Sequence, residues 1–243
     1  GQSSIEYTMR FKVLTEMYVE MGRYNEAKLY NDALLHYFKT LRGEQDREYL
    51  ICLNNDARIS QGYGEYEKAI EIFNKLMHLH GTKNPIDTAD YITTINNTAE
   101  AYRQLQNYKE AISLFEKALQ LSYRFSQNDN ISLATIYNNY GLCYKATGDY
   151  QNAEKSFDNC TAIYKKLKLD FIPDYTNSLS NKADMYRLLG RNKQAYDLLL
   201  EVKDIREKSL GTKHINYANT ITNMALVRIS DYSASGMKEH LTE

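Results

Sequence analysis

The sequence lacks tryptophan and holds only two prolines and eleven glycines in 243 residues. A chain of many tight β-turns needs more of both residues, and so few of them suit long helices. Cysteine is scarce too: Cys52, Cys143 and Cys160 are odd in number and form no CxxC pair. That argues against a disulfide framework or a zinc site, and for a reducing, cytoplasmic setting. No run of about 18 apolar residues occurs, so no membrane-spanning helix is expected. Neither sign of charge is in excess, with 30 Lys+Arg against 31 Asp+Glu. The clustered positive charge that a nucleic-acid backbone requires is missing. What the chain does have is 43% hydrophobic residues, enough for a sizeable core, and 22 tyrosines.

Repetition organises these residues. Gly22-Arg23-Tyr24, Gly64-Glu65-Tyr66, Gln106-Asn107-Tyr108, Gly148-Asp149-Tyr150 and Gly190-Arg191-Asn192 stand 42 residues apart. Three residues past each triplet stands an alanine: Ala27, Ala69, Ala111, Ala153, Ala195. A column of asparagines precedes the triplets from the second onward: Asn55, Asn97, Asn139, Asn181, with Asn223 next in the series. Two residues after each asparagine comes Ala57, Ala99, Gly141, Ala183 or Ala225. Several positions sharing one period mark a supersecondary unit stacked on copies of itself.

The unit reads as two helices, in the third repeat 90–105 and 108–123. Ile95, Ala99 and Tyr102 form one apolar stripe, and Ala111, Phe115, Ala118 and Leu119 form the other. The short polar turn between them favours glycine, which ends a helix in the left-handed conformation without steric cost. Small residues at Ala99 and Ala111 allow close approach. Tyr102, Tyr144 and Tyr186 recur at one position and are expected between the paired helices.

The pattern N-x-A-x-x-Y-x-x-x-G-x-Y-x-E-A-x-x-x-F resembles the tetratricopeptide repeat. The third unit carries Asn97, Ala99, Tyr102, Tyr108, Glu110, Ala111 and Phe115; the fourth carries Asn139, Gly141, Tyr144, Gly148, Tyr150, Ala153 and Phe157. The 42-residue period, longer than the usual 34, and the stretch from Ile205 to His214 are similar to the kinesin light chain subtype, whose relatives are common in bacteria. The resemblance implies an all-α fold: a right-handed α-α superhelix of about five and a half helix-turn-helix repeats. The expected repeats are 5–41, 47–83, 89–125, 131–167, 173–209 and a partial 215–243. They form one domain, expected to be a fragment of a longer protein. Departures stand at Val13 in the asparagine column, Ser60 in the tyrosine column and Gln106 in a turn. After Asn223 the pattern decays: Tyr232 takes a glycine position and Met237 an alanine position.

The first helix of each repeat presents a polar stripe beside its packed one. The stripes are Asn54, Asn55, Arg58 and Gln61; Asn96, Asn97, Glu100 and Arg103; Asn138, Asn139 and Lys145; and Ser180, Asn181, Asp184 and Arg187. They are expected to line a concave groove. A side-chain amide both donates and accepts, so it can pair with the backbone of an extended peptide of any sequence. The resemblance to kinesin light chains implies that role for the asparagine column. Equally, these asparagines can bond to the next repeat and fix the stack. Asn54, Asn96 and Asn138 are expected in the groove because packing does not require them. Arg58, Arg103, Lys145 and Arg187 are candidates to meet acidic groups of a ligand, although Glu100 and Asp184 make the face mixed in sign.

No catalytic constellation or cofactor site emerges. His78 and His80 lie on different helix faces, and a metal pair prefers i, i+4. The expected function is therefore protein–protein interaction, with a peptide or helical segment as the ligand and no enzymatic activity. Two alternatives stand beside it. One is a sensor arm fused to a protease-like or DNA-binding output domain; the other is a scaffold that self-associates through an uncapped C-terminal end.

Overall fold

The computed structural model describes residues 2–82, 88–125 and 131–240, with side chains described for 8–82, 88–125 and 131–232. Among the described residues there are eleven α-helices and no strand. The chain divides into two compact units, 1–126 and 127–243. The first holds α1 (Gln2–Glu20), α2 (Tyr24–Arg42), α3 (Arg47–Gly62), α4 (Tyr66–Gly81), α5 (Thr88–Gln104) and α6 (Tyr108–Phe125). The second holds α7 (Ile131–Thr147), α8 (Tyr150–Lys166), α9 (Pro173–Leu188), α10 (Asn192–Leu210) and α11 (Ile215–His240).

The turns inside the pairs follow one geometry. Gly22, Gly64, Gly148 and Gly190 have φ between +69° and +80°. The next residue closes the helix end: Arg23 N donates to Tyr18 O at 2.8 Å, Glu65 N to Ser60 O at 2.9 Å and Arg191 N to Tyr186 O at 2.8 Å. This backbone bond satisfies a carbonyl that the helix cannot. Gln106, where glycine was expected, holds the same left-handed conformation at φ +61°, and Asn107 N still reaches Tyr102 O at 2.9 Å. The turn geometry prevails over the side chain's preference there.

Each turn folds the second helix back on the first, and the small-residue column makes the contact close. Ala57, Ala99 and Ala183 are fully buried. A Cβ added at Gly141 would stand 2.8 Å from the Phe157 ring. Phe73, Phe115 and Phe157 are wholly buried, each contributing about 2–3 kcal/mol by area. In the first repeat the matching position is Asn31, also wholly buried, whose Nδ2 donates to Cys52 O of α3 at 3.0 Å. Tyr102 packs against the first unit's core, and Tyr144 and Tyr186 against the second's.

Neighbouring first helices also touch: α1 with α3 and α3 with α5 in the first unit, and α7 with α9 and α9 with α11 in the second. One face of each first helix is thereby shared along its unit. The last helix differs. With Tyr232 in place of glycine, nothing favours a left-handed residue, and α11 runs through as one helix to His240. Its residues Ile221, Ile229 and Tyr232 are exposed, Tyr232 at 81%.

Candidate functional site

The polar stripe is built on α3 and α5 in one unit and on α7 and α9 in the other. In the first unit Asn96 Nδ2 donates to Asn97 Oδ1 at 3.4 Å, and Asn97 Nδ2 donates across the repeat boundary to Asn54 Oδ1 at 3.2 Å. In the second unit Asn138 Nδ2 donates to Asn139 Oδ1 at 3.4 Å, and Asn181 Nδ2 donates across to Asn138 Oδ1 at 3.1 Å. The amides thus form a ladder between successive first helices. Asn54 and Asn138 were expected to stand outside the packing; the structure instead makes them the acceptors of the inter-repeat bonds. In the fifth repeat Ser180 takes the place of that neighbouring asparagine, and its hydroxyl turns back to Thr176 O at 2.7 Å.

The ladder leaves hydrogen-bonding capacity over. An amide offers two N–H donors and two lone pairs, and each rung uses one of either kind. Asn54, Asn96, Asn97, Asn138, Asn139 and Asn181 are all partly exposed, whereas Asn55 is buried at 5% exposure. Asn96 Oδ1 has no protein partner among the described residues although the atom itself is buried. Such an acceptor favours a donor supplied by water or a ligand.

The four cations of the stripe are paired within the protein. Arg58 bonds Glu20 at 2.5 Å, and Arg103 grips Glu100 through two nitrogens at 2.7 and 2.5 Å. In the second unit Lys145 and Arg187 converge on Asp184 at 2.8 and 2.7 Å. The face is electrically self-compensated, and a purely acidic ligand would have to displace these carboxylates. Lys145 and Asp184 also join α7 to α9, beside the asparagine rung.

Asp184 titrates accordingly. Burial works to raise its pKa, but the hydrogen bonds from Lys145 and Arg187 outweigh it and hold the carboxyl below its ordinary value. A lowered carboxylate pKa adds stability above the unfolded value of about 3.9, lost as the pH falls through the lower folded value. Asp184→Asn is therefore expected to lower the melting temperature at neutral pH. The difference from wild type should shrink as the pH drops below about 4, which calorimetry across a pH series checks.

Other chemistry is sparse. No group of three or more His, Cys, Asp or Glu able to hold a metal occurs among the described residues. His78 is exposed and His80 is buried, so the two face opposite ways. All three cysteines are buried, and none forms a disulfide among the described residues. Burial pushes the Cys52 thiol up to about 12 and the Cys160 thiol up to about 11, which suppresses the reactive thiolate. No helix among the described residues is long and apolar enough to cross a membrane.

One polar centre escaped the sequence reading. Arg206 of α10 is only 5% exposed and has no carboxylate partner among the described residues. Its guanidinium donates to Thr176 Oγ1 at 3.1 Å, Asn177 Oδ1 at 2.7 Å, Asn216 O at 3.0 Å and Thr220 Oγ1 at 3.0 Å. It thereby joins α9, α10 and α11. The available signal was the period itself: Phe38, His80, Ser122 and Tyr164 precede Arg206 at steps of 42, and all are buried.

The family model described as "Tetratricopeptide repeat" matches residues 90–166 and 174–234. Among solved structures, the chain is similar to the nearly identical TPR-like repeats of a kinesin light chain from Podosopora anserina, with a TM-score of 0.64 at 19% identity, covering 83% of this chain and 96% of that one. It is similar to BtubC (BKLC) from P. vanneervenii, with a TM-score of 0.63 at 14% identity, covering 97% and 92%. It is also similar to Rap protein complexed with Competence and Sporulation Factor, with a TM-score of 0.64 at 14% identity, covering 94% of this chain and 65% of that one. No curated protein matches the chain by sequence.

Proposed function

Because the chain belongs to the tetratricopeptide repeat family, we propose that it is a protein-interaction module whose asparagine-bearing first helices bind an extended peptide segment of a partner protein. The observation that carries this is the amide ladder. Asn54, Asn96, Asn97, Asn138, Asn139 and Asn181 are positioned by bonds to one another, stay partly exposed and keep unspent donors and acceptors. Amides fixed in this way meet peptide backbone without an entropic cost of ordering, which is how preorganisation raises affinity. The stacking role and the binding role are compatible in one residue. Arg58, Arg103, Lys145 and Arg187 act with their carboxylate partners as selectivity elements rather than as a plain basic patch. That one structural relative is a Rap protein complexed with Competence and Sporulation Factor supports ligand capture on such a scaffold. The buried, undisulfided thiols support a reducing, cytoplasmic setting.

The test is selection of random dodecapeptides on the wild type and on the triple variant Asn97→Ala/Asn139→Ala/Asn181→Ala. Each lost rung costs about 1 kcal/mol, so the variant is expected to keep its helical circular dichroism while losing the selected peptides. A folded triple variant that binds them as well as wild type would refute the proposal. A second reading, self-association, is favoured by the exposed apolar residues of α11, Ile221, Ile229 and Tyr232. Sedimentation across a dilution series showing only monomer would remove it.

A further inference from the structure

A cavity of about 330 Å³ opens between the second helices α4 and α6 of the first unit. Met77 of α4, Tyr102 of α5 and Leu114 of α6 give it apolar wall. Asn74, Lys109 and Glu110, all exposed, give it a polar rim. None of these residues belongs to the asparagine stripe.

Tyr102 stands in the column Tyr18, Ser60, Tyr102, Tyr144, Tyr186 and Arg228, at steps of 42. The other tyrosines of the column are engaged. The Arg23 guanidinium lies over the Tyr18 ring, 4.7 Å from its centre. The Lys182 ammonium and the Arg191 guanidinium lie over the Tyr186 ring at 5.3 and 5.6 Å, and the Tyr186 hydroxyl donates to Glu154. Tyr144 pairs with Tyr140 of its own helix, with ring centres 4.5 Å and hydroxyls 2.6 Å apart.

Tyr102 differs because every residue that could cap it has changed. Asn107 stands where Arg23 and Arg191 stand, Thr98 where Lys182 stands and Ile70 where Glu154 stands. Thr98 Oγ1 donates to Thr94 O of its own helix at 2.7 Å, and Ile70 is buried. Among the described residues, no cation, aromatic ring or hydrogen-bond partner reaches Tyr102. Glu110 and Lys109 at the rim likewise form no ion pair among the described residues. Their charges offset each other, so the Tyr102 ring decides which sign the cleft takes. An aromatic face is electrically negative and attracts a cation.

We propose that this cleft is a second docking site, which takes an arginine side chain of a partner protein. The guanidinium lies over the Tyr102 ring, as Arg23 lies over Tyr18, and meets the Glu110 carboxylate at the rim. The methylene stem lies along Met77 and Leu114, as long basic side chains do on apolar surface. Arginine suits the place because its planar cation stacks on a ring and still has N–H groups for a carboxylate. The site is separate from the peptide-binding face proposed above, and neither proposal rests on the other.

The test uses N-acetyl-arginine methylamide as probe, titrated into the isotope-labelled full chain and followed by amide chemical shifts. Saturable shifts are expected at Met77, Tyr102, Glu110 and Leu114. N-acetyl-citrulline methylamide, which has the same shape without the charge, should bind about tenfold more weakly. Glu110→Gln should weaken the arginine probe about threefold, and Lys109→Gln, which removes the like charge, should strengthen it by a similar factor. Asn107→Arg should abolish binding, because it sets over Tyr102 the guanidinium that Arg23 and Arg191 set over their tyrosines. Two repeats of this chain already carry arginine at that position, so the variant is expected to fold. Tyr102→Leu, with its fold checked by circular dichroism, is the second variant and should lose the probe as well. Equal binding of the citrulline compound, or arginine binding unchanged in either folded variant, would overturn the assignment. So would the lack of any saturable shift, or shifts confined to the asparagine stripe.

Discussion

Arg206→Ala is expected to release α11 from the second unit while α7 and α8 stay folded. The guanidinium makes four hydrogen bonds that reach α9 on one side and α11 on the other. Burial pushes its pKa down, and no carboxylate among the described residues repays the desolvation. The protein solvates this cation with neutral oxygens instead. Truncation removes those bonds and the packed stem together, a loss of about 3 kcal/mol. Among the described side chains of α11, Thr220 and Val227 are the fully buried ones. The effect should therefore be local, since units of a stacked array open from their weakest end. Hydrogen exchange resolves it: α11 amides should lose most of their protection and α7 and α8 amides keep theirs. Arg206→Met restores the stem without the bonds and should recover part of the loss. Unchanged protection of α11 in Arg206→Ala would show that the clamp is not what docks it.

The second large effect centres on Phe157. Its ring is wholly buried among Ala153, Ala183 and Tyr186, and it lies against Gly141 so closely that a Cβ there would stand 2.8–3.1 Å from three ring atoms. Phe157→Ala leaves a cavity and should cost about 3–5 kcal/mol. Gly141→Leu forces atoms into the same space from the opposite helix and should cost about 1–3 kcal/mol through overpacking. The two errors are complementary in volume. The double variant Gly141→Leu/Phe157→Ala should be more stable than the sum of the single losses by about 1 kcal/mol or more. Urea denaturation of the four proteins measures this coupling. Strict additivity would mean that Gly141 is not set by the ring beneath it.

The helices and turns were legible because the features that make them recur every 42 residues. A residue in the left-handed conformation stands at each pair's turn, and the second, third and fourth pairs each bury a phenylalanine, Phe73, Phe115 or Phe157, inside. Even Gln106, a poor residue for its conformation, follows the period. Where the period lapses the structure changes, as Tyr232 shows by letting α11 run on. Val13, in the asparagine column of α1, is 52% exposed and takes no part in the ladder.

The site was legible only by residue type. Asparagines at fixed spacing mark a polar face, but an amide's partner depends on the distance to the next helix. The bonds from Asn97 to Asn54 and from Asn181 to Asn138 cross from one repeat to the next. For the same reason the pairing of Arg58 with Glu20 and of Lys145 with Asp184 was hidden: each spans nearly one repeat. Arg206 was hidden differently. It occupies a column whose residue changes from Phe to His, Ser, Tyr and Arg, so no motif announces it. Only burial reveals that the column is one place.

The measurement that bears most directly on the binding face is an amide chemical-shift map of a selected peptide, read at the asparagine side chains. If the first helices bind ligand, the side-chain amide resonances of Asn54, Asn96, Asn97, Asn138 or Asn181 shift on saturation and the exposed sides of α4, α6 and α8 stay silent. Shifts confined to those second helices, with the asparagine amides unmoved, would contradict the account and leave the ladder a stacking device alone.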